Sequence, residues 1–336
     1  MAKITAYGVR PNERPYFDRL NHDHFEMTYV ADLLTHANAD QARGADGVLV
    51  RGNCVVDREN LRQFAKWGIR AVFTRSVGVN HIDLVAAAEF GIQIARVPGY
   101  SPYAVAELAL TLGLSLFRHV DAAVQRTRQG DFRVPASYFS RELHTATVGI
   151  IGAGRIGMAE ARLYRGLGAQ VMAYTPHPKV ADRQVVTFGD RATVLGHSDI
   201  VSVHVPYIPG ENDQSLDQQF LAQMKPQAVL VNTARGELAD PAAILHALDA
   251  GQLGGYGADV VTNETQLIGQ DFGQVAAVPD AAVRQLLAHP RVMVTPHMGS
   301  FTEPALEDMI KVSYQNFREW WATGRVTNGV SVRTHG

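Results

Sequence analysis

Three residues of catalytic type follow apolar segments in the second half of the chain. Arg235 lies in NTARGELAD, Glu264 in GYGADVVTNE and His297 in TPHMGS. Each apolar segment predicts a strand, so each side chain is expected on a loop at a strand end. An arginine binds a carboxylate through two hydrogen bonds, and a histidine beside a carboxylate can transfer a proton. This set is what hydride transfer to a 2-oxo acid requires.

A glycine-rich turn is the second chemical signal. Residues 147–157 read TVGIIGAGRIG, an apolar run that enters a GxGxxG pattern at Gly152, Gly154 and Gly157. A strand, a turn and a helix in this order bind the pyrophosphate of a dinucleotide at the N-terminus of the helix. The alternative is an ordinary strand–helix connection, which the flanking pattern disfavours.

The elements that must position these residues alternate along the chain. Ser101 and Pro102 are typical of a helix start, and Pro304 to Thr323 predicts a second long helix. The alternation of strands and helices predicts βαβ units around parallel sheets. The predicted strands are Lys3–Val9, Ala45–Val50, Ala71–Ser76, Gln93–Val97, the central strand that enters the glycine-rich turn, Gln170–Tyr174, Ile200–Val205, Ala228–Thr233, Gly255–Val260 and Val292–Thr295.

The late position of the glycine-rich turn predicts two domains. About 100 residues of α/β pattern precede it, which is enough for a separate domain. We expect a discontinuous substrate domain of residues 1–100 plus 300–336, and a dinucleotide-binding domain of residues 101–299. The active site is expected between the domains, near the carboxyl ends of the strands.

Composition narrows the class of protein. The chain has 336 residues, 46% of them hydrophobic, and a net charge of −2. This balance predicts neither a nucleic-acid partner nor a membrane partner. The single cysteine, Cys54, suits a reducing compartment, and we expect a cytoplasmic protein. The histidines show no metal-ligand spacing, so no metal site is expected.

Several segments together resemble one known family. RSVGVNHID at 75–83, VPGYSPYAVAEL at 97–108, GAGRIG, NTARG and TPH occur in the family's order. The chain resembles the D-isomer-specific 2-hydroxyacid dehydrogenases, in the branch of D-lactate and (R)-2-hydroxyglutarate dehydrogenases. The resemblance implies an α/β fold of two doubly wound parallel sheets, in which a central Rossmann domain is inserted into a flavodoxin-like substrate domain. It also implies an (R)-2-hydroxy acid product, NAD as cofactor and a homodimer.

The resemblance assigns roles residue by residue. It implies that Arg235, Glu264 and His297 are catalytic, with His297 as the proton donor, and that Asp259 orients the nicotinamide carboxamide. The backbone amides of Val77 and Gly78 would hold the substrate carboxylate. The full cofactor set is Gly152, Gly154, Arg155, Ile156, Gly157, Thr175, Val205, Pro206, Thr233, Ala234 and Asp259, and the substrate set is Arg51, Val77, Gly78 and Tyr100.

Thr175 departs from the pattern of NAD-specific relatives. It stands eighteen positions after Gly157, where those relatives carry an aspartate that binds the ribose hydroxyls. Without this carboxylate, repulsion of a 2′-phosphate is lost, and His177, Lys179 or Arg183 could attract one. We therefore expect NADH use with relaxed discrimination against NADPH.

Arg51 suggests the substrate. It lies in LVRGNC at a predicted strand end, and this segment resembles the 2-hydroxyglutarate branch. A second arginine opposite Arg235 suits a dicarboxylate, so we expect 2-oxoglutarate. The structural alternative is an arginine that pairs with an acid or reaches solvent.

Other readings of the function stay open. Within the enzymes, the alternatives are reduction of pyruvate to D-lactate and of branched or aromatic 2-oxo acids. A more remote alternative is an NAD-sensing, corepressor-like binding protein. The segment 265–288 is expected to be partly helical, without an assigned chemistry.

Overall fold

The computed structural model describes residues 1–331, and the chain divides into two compact units. Unit 1 consists of Met1–Ser101 and the segment that begins at Phe301, whereas unit 2 is Pro102–Ser300. Each unit is built around one largely parallel sheet, so the predicted α/β class with two parallel sheets is confirmed.

The sheet of unit 1 has the strand order β13-β5-β4-β3-β1-β2. The order of its parallel strands is the flavodoxin-like 2-1-3-4-5. Only β13 pairs antiparallel, through Gly329 opposite Ala95 and Val330 opposite Ile94. The segment Gly329–Val330 therefore completes the sheet that the segment Met1–Ser101 forms. The strands are β1 (Lys3–Tyr7), β2 (Glu26–Val30), β3 (Gly47–Val50), β4 (Ala71–Thr74), β5 (Gln93–Ala95) and β13 (Gly329–Val330).

Alternate residues of these strands contribute to two different cores. Val48 and Val50 belong to the cluster that includes Leu61 and Phe64, whereas Leu49 belongs to the cluster that includes Phe317. The side chains of a strand point alternately to the two faces of the sheet, so both faces are covered. The helices of unit 1 are α1 (Arg14–Leu20), α2 (Arg58–Lys66), α3 (Leu84–Glu89) and α12 (Glu303–Thr323).

Unit 2 has the strand order β12-β11-β10-β9-β6-β7-β8, parallel throughout. If β6 is numbered 1 and the later strands follow in chain order, the sheet read from β8 has the Rossmann order 3-2-1-4-5-6. The strand β12 extends this order by one further strand. The direction of strand progression reverses between β6 and β9, where such folds bind their ligand. The strands are β6 (Thr147–Ile151), β7 (Gln170–Tyr174), β8 (Thr187–Phe188), β9 (Ile200–Val203), β10 (Ala228–Asn232), β11 (Leu253–Ala258) and β12 (Val292–Val294).

Four helices of unit 2, namely α7, α8, α9 and α11, begin with an aspartate cap. Asp190, Asp217, Asp240 and Asp280 each accept a hydrogen bond from a backbone N–H of the first helical turn, which stabilises a helix N-terminus. The segment 265–288 is partly helical, as expected. The helices are α4 (Pro102–Phe117), α5 (Val120–Arg128), α6 (Arg155–Gly166), α7 (Arg191–His197), α8 (Gln218–Ala222), α9 (Pro241–Asp249), α10 (Glu264–Leu267) and α11 (Ala281–Ala288).

Sequence reasoning missed three short strands: β2, β8 and β13. The strand β2 lies at a sheet edge, and its first four residues alternate between exposed and partly buried positions before the buried Val30. Such a strand lacks the continuous apolar run that marks the central parallel strands. No helix within residues 1–331 is both long enough and apolar enough to cross a bilayer.

Candidate active site

The glycine-rich turn connects β6 to α6. The φ angle of Gly152 is +103°, and a Cβ there would lie 2.8 Å from the carbonyl carbon of His204. A Cβ on Gly157 would lie 2.3 Å from the carbonyl oxygen of Gly152. Both positions therefore require glycine, the first for the turn and the second for close packing of the helix on the strand.

Two observations test whether this turn fits a dinucleotide. A Cβ on Gly154 would meet no atom within 4 Å, so the backbone there borders open space. The first α-helical hydrogen bond runs from the Met158 N–H to the Gly154 carbonyl, and the N–H groups before it, including those of Arg155 and Ile156, point out of the helix N-terminus. Free N–H groups beside open backbone fit a pyrophosphate.

A buried hydroxyl gives a further indication beyond the end of β10. Thr233 is 9% exposed, and its Oγ1 has no hydrogen-bond partner among residues 1–331. Buried hydroxyls are nearly always paired, so a ligand atom is the natural partner. Ala234 beside it is half-buried.

The other predicted cofactor residues also follow strands of this sheet. Thr175 comes directly after β7, where the Tyr174 carbonyl accepts a hydrogen bond from the N–H of Gly152 at 2.9 Å. Val205 and Pro206 follow β9 and are half-buried and exposed. All of them lie at carboxyl ends of parallel strands.

Arg235 is held by the residues on either side of it. The buried Asn232 donates to the Arg235 carbonyl at 2.8 Å and accepts from the Ala234 N–H at 3.0 Å. A Cβ on Gly236 would lie 2.1 Å from the carbonyl carbon of Val261, so the loop after β10 packs directly on the loop after β11. This contact brings the Arg235 loop to the segment that leads into Glu264.

Glu264 and His297 form the central pair of the site. The Nδ1 of His297 lies 2.6 Å from Oε2 of Glu264, and the other carboxylate oxygen accepts from the Val261 N–H at 3.3 Å. His297 has a φ angle of +52°, in the left-handed region that non-glycine residues rarely adopt. Such a conformation persists where surrounding structure enforces it, as at functional sites.

The protonation of His297 follows from its surroundings. Burial opposes the positive charge, but the hydrogen bond and negative charge of Glu264, assisted by Asp259, raise the pKa of His297 above its ordinary value. The charge of Arg235 acts in the opposite direction, so Arg235 lies within electrostatic reach of the imidazole. The site thus favours an imidazolium that can give up a proton.

Asp259 anchors the loop that carries His297. It is 2% exposed, and it accepts hydrogen bonds from Thr295 Oγ1 at 2.5 Å, from the Met298 N–H at 2.8 Å and from the Gly299 N–H at 2.7 Å. Burial raises the pKa of Asp259 in spite of these bonds. The donors of these hydrogen bonds flank His297 in sequence, two residues before it and one and two residues after it. Asp259 therefore fixes the position of His297.

In unit 1, the loop after β4 presents backbone amides. Ser76 Oγ donates to the Gly78 carbonyl at 2.8 Å, and Arg96 donates to the Val77 carbonyl at 3.1 Å. Within residues 1–331, the N–H groups of Val77 and Gly78 have no acceptor. Adjacent free N–H groups suit a carboxylate.

Arg51 lies directly after β3 in a cluster of arginines. Its aliphatic stem packs on Gly8, whereas the nearby carboxylate of Glu13 lies 3.0 Å from Arg75 and 3.7 Å from Arg10. Burial, followed by the charges of Arg75 and Arg10, lowers the pKa of Arg51 to about 10. Among the described residues Arg51 has no ion pair of its own. Tyr100, at the end of the segment that follows β5, is half-buried.

The sequence analysis did not identify the residues that position the predicted catalytic side chains. Asn232, Gly236 and Thr295 lie within or beside the quoted motifs. These residues are visible in the sequence motifs, but their role in positioning the site follows only from the packing of neighbouring loops.

A family model described as D-isomer specific 2-hydroxyacid dehydrogenase, NAD binding domain, matches residues 110–299. The chain is 34% identical to the D-lactate dehydrogenase of Lactobacillus delbrueckii over 94% of its own length and 95% of that protein. It is 31% identical to a D-2-hydroxyacid dehydrogenase (NAD+) of Lacticaseibacillus paracasei, covering 98% of both chains.

Solved structures agree with this similarity. A D-lactate dehydrogenase from Treponema pallidum superposes with a TM-score of 0.89 at 30% identity, covering 98% of this chain and 100% of that one. The D-lactate dehydrogenase of Lactobacillus jensenii, solved with NAD+, gives 0.83 at 32% identity, covering 98% and 99%. These names favour D-lactate, the alternative reading of the sequence, and give no support to 2-hydroxyglutarate.

Proposed function

Because the chain belongs to the D-isomer-specific 2-hydroxyacid dehydrogenases, which are NAD-dependent oxidoreductases, we propose that Arg235, Glu264 and His297 are its catalytic residues. They would reversibly reduce a 2-oxo acid to the (R)-2-hydroxy acid. The observation that carries this proposal is the 2.6 Å contact between His297 Nδ1 and Glu264 Oε2, with Arg235 within electrostatic reach.

When bound, the cofactor would supply the hydride. His297, protonated on both nitrogens, donates the Nε2 proton to the substrate carbonyl oxygen while Nδ1–H stays bonded to Glu264. Glu264 holds the imidazole in one orientation and stabilises its charged form. Arg235 binds the substrate carboxylate and polarises the carbonyl. The amides of Val77 and Gly78 are proposed to bind a substrate carboxylate, and Tyr100 to contact the substrate.

Separate groups of unit 2 residues would hold the cofactor. The N–H groups at Arg155 and Ile156, with the three glycines of the turn, suit the pyrophosphate. Thr175 would face the adenosine ribose. Val205 and Pro206 would border the adenosine, and Thr233, Ala234 and Asp259 the nicotinamide.

The test of this proposal is turnover of NADH with 2-oxo acids by the protein and by His297→Ala. Loss of the proton donor lowers kcat by about 10²–10⁴-fold, while NADH binding, followed by fluorescence, persists. His246→Ala, an exposed histidine on α9, is the matched control. Binding of NADH without turnover of any 2-oxo acid would refute the proposal and favour a sensing role.

For the substrate, the names of the relatives support pyruvate, reduced to D-lactate. A second candidate, a 2-oxo dicarboxylate such as 2-oxoglutarate, is favoured by Arg51. This arginine is desolvated, lies beside two others and lacks an acid of its own among the described residues. A partly buried cation without a partner charge is unfavourable, and a second substrate carboxylate would balance it.

The ratio of kcat/KM for 2-oxoglutarate over pyruvate separates the two candidates. If Arg51 binds the distal carboxylate, Arg51→Leu lowers this ratio by about 10²-fold or more, as expected when a buried charge partner is removed. Arg62→Leu, an exposed arginine on α2, is the control. A preference for pyruvate that Arg51→Leu does not change would assign D-lactate and leave Arg51 a structural role.

We also propose a cytoplasmic homodimer. In unit 2, the segment after α5 exposes Phe132, Val134 and Phe139 at 79%, 84% and 95%. Apolar side chains this exposed and this close in sequence are typical of an interface. Light scattering of the unchanged protein and of Phe139→Asp tests the homodimer. The proposal predicts that the unchanged protein is a dimer and that the charge of the introduced aspartate weakens it.

A further inference from the structure

A buried carboxylate lies beneath the glycine-rich turn. Glu160, on α6, is 0% exposed. Its Oε2 lies 2.5 Å from Nε2 of His204, whose side chain is 3% exposed, and Ser202 Oγ lies 3.1 Å from the same nitrogen. None of these three residues is part of the catalytic group described above.

His204 joins the glycine-rich turn to the loop after β9. Its N–H donates to the Ile151 carbonyl at 2.8 Å, at the end of β6. Its own carbonyl carbon would lie 2.8 Å from a Cβ on Gly152. The next residues along the chain, Val205 and Pro206, are those assigned to the adenosine. A displacement of His204 would therefore move both the turn and this loop.

A carboxylate here needs a reason, because α6 packs on the sheet with apolar neighbours. Burying a carboxylate costs several kcal/mol unless it is well paired. This cost is only partly offset in Glu160. Its Oε2 is hydrogen-bonded to His204, whereas Oε1 has no hydrogen-bond partner among the described residues. An apolar side chain of similar size would avoid the penalty, so stability alone does not explain Glu160.

A buried tyrosine lies on the same helix as Glu160. Tyr164, one helical turn after Glu160, is fully buried, and its hydroxyl lacks a partner within residues 1–331. Burial, and then the charge of Glu160, raise the pKa of Tyr164. The polar atoms of Glu160, Tyr164, Ser202 and His204 thus lie within an otherwise apolar layer of unit 2.

We propose that Glu160 is a positioning residue for cofactor binding. It fixes the His204 imidazole, and His204 holds the glycine-rich turn and the loop after β9 in the geometry that binds NADH. This inference rests on the proposed role of the turn as the cofactor site. It predicts that Glu160 affects the affinity for NADH much more than the chemical step.

The test is fluorescence titration with NADH, together with kcat, KM and melting temperature, for Glu160→Leu and Glu160→Gln. Leucine removes the acceptor for His204, and we expect a tenfold or greater rise in Kd and KM for NADH with kcat at saturation within about threefold. Glutamine keeps an acceptor oxygen, so its Kd stays within about threefold of the unchanged protein. Glu142→Leu, at an exposed glutamate of unit 2, is the control.

A purely structural role for Glu160 would change the melting temperature and leave the Kd for NADH unchanged in the folded protein, which would overturn the proposal. If Glu160→Leu does not fold, His204→Asn gives the same test, because the shorter side chain cannot reach Glu160. An unchanged Kd in His204→Asn would also overturn it. Since NADH binding is read directly, a protein that binds NADH but reduces no 2-oxo acid would refute only the proposed reaction.

Discussion

Gly236 packs so closely on Val261 that an added Cβ would lie 2.1 Å from the carbonyl carbon of that residue. Through this contact, the loop that carries Arg235 rests on the loop that leads into Glu264. Arg235 and Glu264 come from different strands, and their relative position depends on this backbone approach.

The Gly236→Ala variant is therefore expected to be destabilised. The added methyl group meets backbone, which cannot rotate away, and overpacking of this kind costs about 1–3 kcal/mol. Denaturant unfolding measures the effect, and kcat should fall with it because Arg235 moves. The control is Gly196→Ala inside α7, where the added Cβ meets only an ordinary contact at 3.7 Å. There we expect unchanged or slightly greater stability; equal effects of the two substitutions would contradict the packing argument.

The Glu264→Gln variant should shift the pH dependence of catalysis. Reduction needs protonated His297, so kcat/KM for the 2-oxo acid falls as pH rises through the pKa of His297. Because Glu264 raises this pKa, its neutralisation moves the fall to lower pH. Oxidation of the 2-hydroxy acid needs neutral His297, so kcat/KM for oxidation increases as pH rises through the pKa of His297. In Glu264→Gln this increase also moves to lower pH. Profiles in both directions test this, and an unchanged midpoint would remove Glu264 from its role.

The Asp259→Asn variant should lower kcat. Asp259 accepts hydrogen bonds from Thr295, Met298 and Gly299 through two oxygens, whereas asparagine offers only one acceptor oxygen. The substitution also removes a negative charge that stabilises the imidazolium of His297. Hydrogen bonds to a charged group contribute about 1.5–3 kcal/mol, so kcat is expected to fall roughly tenfold to hundredfold. Steady-state kinetics measure this, with Asp271→Asn at an exposed site as control. A kcat like that of the control would show that the loop keeps its geometry without Asp259.

The cofactor preference tests the assignment of Thr175. We expect the ratio of kcat/KM for NADH over NADPH to stay below about 10³, on the order of 4 kcal/mol, because Thr175 cannot repel a 2′-phosphate. Thr175→Asp should raise the ratio by adding that repulsion. A ratio already above this limit in the unchanged protein would mean that other residues reject NADPH.

The sequence by itself determined the fold class and the family, and it suggested the residues that we propose as catalytic. Buried parallel strands show as continuous apolar runs, and the glycines of the turn are dictated by local backbone geometry, so both are legible along the chain. The order of the motifs carried the family resemblance, which the comparisons confirm.

Only the tertiary structure decided what holds these residues and what surrounds Arg51. The bonds of Asp259 to the His297 loop, the approach of Gly236 to Val261 and the burial of Glu160 against His204 join residues distant in sequence. The short strands β2, β8 and β13 are likewise defined by the neighbours with which they pair. Such contacts depend on which elements lie side by side, and no local pattern encodes them. For the same reason, the sequence could suggest the charge of Arg51 but could not show that the nearby carboxylate of Glu13 is already shared by Arg75 and Arg10.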